Sequence, residues 1–200
     1  MSLEQEISSP SLADSEGQLI ARDVTGRFEL RRANILRFPC SSIVSPCDRR
    51  IASGLSRTIC DAAGPRINVY FKTPRGINAG DALATPSFNL KSCHHIIHTH
   101  VAHYDDRRYS SALVKQLLAN CYRNCIVQAI AAGATEIAFP VIGTGWKNYP
   151  QRLAARIAVN TVRDVFRHPI YGAKRRAAIK RVVFLVWHVP PIQSAATSPK

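Results

Sequence analysis

A glycine-bearing loop after an apolar run is the segment of this sequence most suited to chemistry. Residues 137–142 are apolar, and the tripeptide 143–145 (Gly-Thr-Gly) follows them just before a predicted helix. Two glycines allow backbone N–H groups to converge on one point, and the amino end of a helix adds partial positive charge. The pattern is typical of a phosphate-binding loop, although a tight turn without a ligand has the same local form. Trp146 and Lys147 come next, and they either cover and contact a ligand or face the sheet edge and solvent.

Four arginines share one face of a second predicted segment, the helix 150–168. At about 100° per residue they fall within roughly 60° of one another, and three more cations follow closely. Such a face is either simply solvated or attracts nucleic-acid phosphates with little base specificity. The candidate polyanion surface consists of Arg152, Arg156, Arg163, Arg167, Lys174, Arg175 and Arg176.

A histidine-rich run suggests a metal site. On a strand, His94, His98 and His100 share one face, and Cys93 could join them only across a bend. Zinc needs four well-placed ligands, or three and a water, and no second cluster with metal spacing is apparent. We therefore expect histidines of a strand and its loops, with no metal and no other cofactor.

Charge is distributed unevenly along the chain. The protein has 200 residues and a formal net charge of +14. Residues 1–30 carry six acids and two arginines, whereas residues 31–200 carry 25 Lys and Arg against seven acids. The positive excess therefore belongs to the predicted folded part, which favours an anionic partner.

The cellular compartment is predicted from three features that the sequence does not show: a membrane span, a signal peptide and a disulfide pattern. No apolar run approaches the roughly 20 residues of a membrane span, and the acidic start does not resemble a signal peptide. The six cysteines include no Cys-x-x-Cys pair, so we expect reduced thiols rather than a disulfide framework. These features predict an intracellular protein, cytoplasmic or nuclear, that contacts no membrane; it could be part of a viral or multidomain polypeptide.

Alternating strands and helices must position these groups. The hydrophobic patterns predict strands at 27–30, 43–45, 67–71, 96–101, 137–142 and 182–187, and helices at 50–63, 111–132 and 150–168. Segment 82–88 gives mixed signals. This alternation predicts an α/β fold with a largely parallel sheet covered by helices on both faces. We expect one domain over residues 23–189, between an acidic flexible tail at 1–22 and a second flexible tail at 190–200.

Six stretches, taken in order, resemble the macro domain family. The stretches are 33–48, 54–65 (with Ala-Ala-Gly-Pro at its end), 79–82 (Ala-Gly-Asp-Ala), 97–99 (Ile-His-Thr), 121–124 (Cys-Tyr-Arg-Asn) and 137–150 (Ile-Ala-Phe-Pro-Val-Ile-Gly-Thr-Gly, then Tyr-Pro). The resemblance runs from about Ala33 to Trp187. It implies a three-layer α/β/α sandwich with a mostly parallel, mixed central sheet.

The resemblance also implies a site for ADP-ribose. It puts Asn34 and Ile35 at the adenine, with Trp187 bordering it, and Cys47 and Asp48 near the distal ribose. The two phosphate loops it implies are formed by Gly54, Leu55 and Ile59 and by Gly143, Thr144, Gly145 and Trp146, with Lys147 beside the second.

Departures from the family pattern bear on catalysis. Asn34 stands where the family has an aspartate that reads adenine, and Asp48 stands where it has an asparagine. Ser56 occupies the position of the acid often used by the hydrolase branch, and a serine is a poor general base without an activating partner. Asp48 is then the carboxylate that the alignment brings near the reacting ribose, and the candidate catalytic residue. The first loop, 48–54, has one glycine where several are usual.

Three functions are consistent with these residues. The first is a monomeric module that binds ADP-ribose, ADP-ribosylated macromolecules or poly(ADP-ribose) with little catalysis. The second is a degenerate domain that binds RNA, DNA or another protein through its basic face. The third is an ADP-ribosyl hydrolase with a rearranged site that uses Asp48, so whether the protein is an enzyme stays open.

Overall fold

The computed structural model describes residues 16–48, 54–71 and 76–187. Its strands are β1 (Gln18–Arg22), β2 (Phe28–Arg32), β3 (Ser42–Cys47), β4 (Ala82–Pro86), β5 (His95–His100), β6 (Glu136–Pro140) and β7 (Arg181–Val186). Its helices are α1 (Leu55–Ala63), α2 (Asn68–Phe71), α3 (Ser111–Ala131), α4 (Gln151–Arg167) and α5 (Gly172–Ala178), and a 3₁₀ turn covers Pro65–Ile67.

The strands form one mixed sheet in the order β1-β2-β7-β6-β3-β5-β4. The interior pairs are parallel, whereas β1 pairs with β2 and β4 pairs with β5 in antiparallel fashion at the two edges. Parallel neighbours need crossover connections, and the helices supply them. The carboxyl ends of β2, β7, β6, β3 and β5 therefore lie along the same edge of the sheet.

Alternating side chains give the sheet two buried faces. On β3, Val44 packs with α3 and α4 in one core, while Ile43 packs with α1 in the other. Ile97 and Ile96 of β5 divide between the same two cores. The predicted three-layer α/β/α sandwich is thereby confirmed.

The predicted strand at 67–71 is wrong. Its β-branched residues suggested a strand, but the chain forms the 3₁₀ turn and then α2. Gly64 precedes the turn with a φ of 83°, and Pro65 sits at its first position, where a missing N–H is tolerated. Ile67 is fully buried by this turn, so tertiary packing overrides the local strand preference.

The limits of the domain differ from the sequence expectation at the amino end. β1 lies within the predicted tail 1–22, yet it pairs with β2 through backbone hydrogen bonds. Residues 1–15 and 188–200 lie outside the described residues, as do 49–53, where the predicted helix 50–63 would begin. In the described ranges, no helix combines the length and the apolar character needed to cross a membrane.

All six cysteines lie in the described residues, and each is free and buried. The prediction of unpaired thiols is confirmed for Cys40, Cys47, Cys60, Cys93, Cys121 and Cys125.

Candidate functional site

The loops after β3 and β6 leave the same sheet edge toward opposite faces. β3 and β6 are neighbours, but β3 leads to α1 in one core and β6 leads to α4 in the other. In open α/β sheets a crevice forms where adjacent connections diverge in this way, outside the carboxyl ends of the strands. The fold therefore puts the glycine-bearing loops of the sequence on either side of one crevice.

A cleft of about 360 Å³ occupies this crevice. Most of the sequence-predicted ligand residues line it, and three further residues at the strand ends join them. The predicted residues are Cys47, Asp48, Gly54, Leu55, Gly143, Gly145, Trp146 and Lys147, and the additional ones are Pro46, Val101 and Val141. Val101 and Val141 directly follow β5 and β6. Their positions just after two parallel strands are the signal from which the sequence could have predicted that they line the cleft.

Five predicted ligand residues, Trp187 among them, do not line the cleft. Ile35 and Ile59 are buried in the core that contains α1. The Asn34 side chain accepts a hydrogen bond from the backbone N–H of Leu36 at 2.9 Å, so it stabilises its own turn. Thr144 is half-buried between the two lining glycines.

Trp187, expected near the adenine, is exposed at the end of the last strand.

The loop after β6 requires glycine at its first position. Gly143 has a φ of 90°, and a Cβ there would lie 2.9 Å from Cδ2 of Tyr149. The backbone N–H of Tyr149 donates to the Gly143 carbonyl at 3.0 Å, and the Tyr149 hydroxyl donates to the Val114 carbonyl at 3.1 Å. The loop is thus fixed against α3, whereas a Cβ added at Gly145 would meet nothing within 4 Å.

The second glycine loop enters α1. Gly54 caps the helix with a φ of 57°, no side chain caps its first turn, and that turn contains no acidic residue. The first amide groups of a helix lack intrahelical partners, so this end can donate to an anion. Ser56 follows in the first turn; it is buried, and within the described residues its hydroxyl has no hydrogen-bond partner.

Asp48 and Lys147 form an ion pair across the cleft. Asp48 follows β3 and Lys147 belongs to the loop after β6, so the pair joins the two sides. The Lys147 side chain is only 12% exposed, while that of Asp48 is 38% exposed. An ammonium group with so little access to water needs a hydrogen-bonded counter-charge, and Asp48 supplies it.

Cys47 is a neutral thiol at the base of the cleft. Burial, together with Cys60 and Asp48 nearby, raises its pKa to about 12. Its Sγ donates a weak hydrogen bond to the Thr99 carbonyl at 3.4 Å. Because the thiolate is the nucleophilic form, this raised pKa disfavours a nucleophilic role for Cys47 near neutral pH.

The histidine run does not converge on a metal. His98 is fully buried, with its Nε2 3.1 Å from Thr85 Oγ1, and burial lowers its pKa to about 3, so it is neutral. His100 donates from Nδ1 to the Ile77 carbonyl at 2.8 Å, while His94 is exposed. Across residues 16–48, 54–71 and 76–187, no group of three or more His, Cys, Asp or Glu side chains is arranged to hold a metal ion.

The basic residues of α4 and α5 divide into two groups. Arg152, Arg156, Arg163 and Arg167 are exposed on α4, and Lys174 is exposed on α5. Arg175 and Arg176, by contrast, donate to the carbonyls of Val165 and Phe166 in the last turn of α4. Arg175 also lies over the Tyr171 ring. These two arginines link α5 to α4, and because Arg176 is nevertheless exposed, it is Arg175 that the structure withdraws most from the predicted basic surface.

Comparison with known proteins agrees with this architecture. A macro domain-containing protein of Ralstonia nicotianae is 37% identical over 135 residues, which cover 66% of this chain and 77% of that protein. The human ganglioside-induced differentiation-associated protein 2 is 30% identical over 170 residues, 84% of this chain. The chain spans only about a third of the length of this relative and its mammalian counterparts.

Solved structures share the fold. The macro domain of ganglioside-induced differentiation-associated protein 2 superimposes with a TM-score of 0.70 at 27% identity, over 88% of this chain and 85% of that chain. A Trypanosoma brucei macrodomain, solved in complex with ADP-ribose, gives a TM-score of 0.67 at 23% identity, over 82% of this chain and 65% of that chain. The family model of the macro domain matches residues 44–158. The chain therefore belongs to the macro domain family.

Proposed function

We propose that this protein binds ADP-ribose, free or attached to a macromolecule, in the cleft between the loops after β3 and β6. The observation that carries the proposal is the pairing of two glycine-bearing loops across one crevice, Gly54 on one side and Gly143 and Gly145 on the other. Both loops can turn backbone N–H groups toward a diphosphate. The volume of about 360 Å³ lies within the usual range for small-molecule sites.

The expected orientation of the ligand follows from the cleft residues. The diphosphate would lie between Gly54 and the 143–146 loop, with the distal ribose near Cys47 and Asp48. Trp146 is 74% exposed and packs edge-to-face on His103, with the ring centres 5.9 Å apart. An exposed indole held in this way is suited to cover the ribose end. The Trypanosoma brucei macrodomain solved with ADP-ribose supports this ligand class.

Binding with little hydrolysis is the form of this function that the residues favour. Ser56 is buried at the position of the family's acid, and a hydroxyl there is a poor general base. Asp48, the remaining candidate base, is engaged by Lys147. Release of ADP-ribose from a mono-ADP-ribosylated protein, compared between wild type and Asp48→Ala, tests this. Rapid release that depends on Asp48 would instead identify a hydrolase.

Calorimetry with ADP-ribose tests the binding proposal, using Gly145→Val as the disabling variant. A Cβ at this position meets nothing within 4 Å, so we expect the fold to be retained, and because Gly145 lines the cleft we expect the added valine side chain to obstruct it. We expect wild type to bind, and the variant to lose affinity by more than about tenfold with an unchanged melting temperature. Ala155→Val, at an exposed position of α4, is the control and binds as wild type does. No binding by wild type, or full affinity in Gly145→Val, would contradict the proposal.

A second function, polyanion binding, is supported by the exposed arginine face of α4. We infer that Arg156 and Arg163 attract the phosphates of RNA, DNA or poly(ADP-ribose), since both are exposed on that face. Affinity for a single-stranded RNA should fall steeply with salt, and Arg156→Glu with Arg163→Glu should remove most of it. ADP-ribose binding in the cleft should not change. If RNA binding is insensitive to salt or to this double substitution, the proposal that the arginine face of α4 binds polyanions is wrong.

An intracellular site of action is part of the same proposal. The free state of all six cysteines supports a reducing compartment.

A further inference from the structure

A second cleft, of about 380 Å³, adjoins the first behind the ion pair. Asp48, Val101 and Lys147 line both clefts, so the Lys147–Asp48 pair is their common wall. The rest of the second cleft comes mainly from the segment that connects β5 to α3. Neither the glycine loops nor Trp146 lines it, so its remaining walls differ from those of the diphosphate site.

The walls of this second cleft are fixed by internal hydrogen bonds. Arg108 donates to both oxygens of Asp106, at 2.9 and 2.7 Å, and these contacts lower the pKa of Asp106 to about 2. The Tyr104 N–H donates to the Lys147 carbonyl at 2.9 Å, which ties the segment to the loop after β6. The His100 ring is held by the Ile77 carbonyl. The cleft is therefore preformed, which lowers the entropic cost of filling it.

The charges of the lining decide which kind of occupant fits. Two carboxylates, Asp48 and Asp106, are each paired with a cation, Lys147 and Arg108. The formal charge of the four groups cancels, in contrast to the arginine face of α4. A nucleic-acid strand would bring phosphates against both carboxylates, which is unfavourable. A polypeptide instead offers N–H and C=O groups that paired carboxylates and guanidinium groups can bind without a net change of charge.

We propose that the second cleft binds the polypeptide next to an ADP-ribosylated side chain. This inference rests on the proposed function: ADP-ribose fills the first cleft with its distal ribose at Asp48, and the modified side chain continues past the Lys147–Asp48 wall. The Arg108 side chain, 79% exposed and lying over the Tyr109 ring, contacts the peptide at the rim. The protein then recognises ADP-ribose on a protein more tightly than ADP-ribose alone.

Three ligands and two variants test this inference by calorimetry. The ligands are free ADP-ribose, a synthetic peptide carrying ADP-ribose on one serine, and an oligonucleotide carrying it on a terminal phosphate. We expect wild type to bind the modified peptide about tenfold more tightly than ADP-ribose, as one or two hydrogen bonds to charged groups would give. Arg108→Ala should abolish that gain and leave the affinity for free ADP-ribose unchanged. Arg107→Ala removes an equal charge from an exposed neighbour that does not line the cleft, and it should bind all three ligands as wild type does.

The possible failures are distinguishable. If wild type binds ADP-ribose and the modified peptide with equal affinity, the proposal that the second cleft binds polypeptide is overturned, whereas the proposed function is not. Failure to bind any of the three ligands overturns both. If affinity exceeds that for free ADP-ribose only with the oligonucleotide, the second cleft binds a nucleic acid and not a polypeptide. If Arg108→Ala weakens the binding of free ADP-ribose and of the modified peptide equally, Arg108 belongs to the ADP-ribose site. The proposal of a polypeptide site in the second cleft would then be overturned.

Discussion

At the scale of single residues, the Lys147–Asp48 pair determines the electrostatics of the cleft. The two residues are 99 positions apart, yet their side chains meet between the loops after β3 and β6. Asp48 neutralises a cation that would otherwise attract an anionic ligand. The carboxylate therefore has two opposing effects, since it holds Lys147 in the wall and reduces the positive potential that a diphosphate would meet.

Asp48→Asn should strengthen ADP-ribose binding. The amide keeps an oxygen acceptor for Lys147 but removes the negative charge, so the uncompensated ammonium attracts the diphosphate. We expect affinity to rise about fivefold at low salt and the gain to shrink as salt screens it, measured by calorimetry. Asp105→Asn makes the same change of charge at an exposed residue outside both clefts and should have little effect. An unchanged or weaker affinity in Asp48→Asn would contradict this account.

Part of this site could be predicted from the sequence, for a physical reason. The resemblance to the family put Asp48 near the distal ribose, and the strand-to-loop pattern put Gly143 at a ligand-binding edge; the fold explains both, because residues that follow parallel strands gather at one sheet edge. The ion pair could not be predicted, because contact between two loops depends on their paths in space. The contact of Asn34 with adenine stays a prediction; the structure adds that its Oδ1 accepts a hydrogen bond within its own turn, which the sequence did not indicate.

At the scale of elements, the end of α4 depends on α5. The last carbonyls of a helix have no intrahelical donors, and Arg175 and Arg176 supply donors to Val165 and Phe166. Cations near the carboxyl end of a helix also interact favourably with its dipole. A run of three cations in sequence suggested a surface for phosphate, whereas two of them stabilise the fold.

Arg175→Gln with Arg176→Gln should destabilise the protein. Two hydrogen bonds from charged donors are weakened, and we expect the free energy of unfolding to fall by about 2 kcal/mol in urea denaturation. The matched control is Arg163→Gln with Arg167→Gln, which removes the same charge from the exposed face of α4. That control should change stability by less than about 0.5 kcal/mol. Equal stability of the two double variants would show that the contacts of Arg175 and Arg176 with the end of α4 contribute nothing to stability.

The elements missed by sequence reasoning are those with weak periodic signals. Every residue of β1 is exposed, so the strand lacks the alternation that marks a half-buried strand. Its position depends on the turn before β2, where Asp23 accepts hydrogen bonds from Thr25 and from the Phe28 N–H. The sequence Asp-Val-Thr-Gly at 23–26 is a turn signal that could have indicated a hairpin there.

At the scale of the whole molecule, a charge network joins the strands at one side of the sheet. Glu29 of β2 is 4% exposed and contacts Arg22, Arg31 and Arg181, which come from β1, β2 and β7. Arg181 also reaches Glu136 at the start of β6, at 3.6 Å. Several of the chain's cations therefore serve the fold, and the net charge of +14 overstates what is available to an anionic partner.

Glu29→Gln should destabilise the sheet in a way that depends on pH. Burial alone would raise the pKa of Glu29, but Arg31 and Arg181 outweigh it and lower the pKa below its ordinary 4.5. A carboxyl with a depressed folded-state pKa stabilises the fold above its unfolded pKa, and this is lost as pH falls through the folded value. We expect Glu29→Gln to cost about 3 kcal/mol at pH 7 in urea denaturation, and to flatten the loss of wild-type stability below about pH 4.5. Glu136→Gln, with a side chain 30% exposed, should cost under about 1 kcal/mol. Equal effects of the two substitutions would show that burial of Glu29 adds nothing to the network.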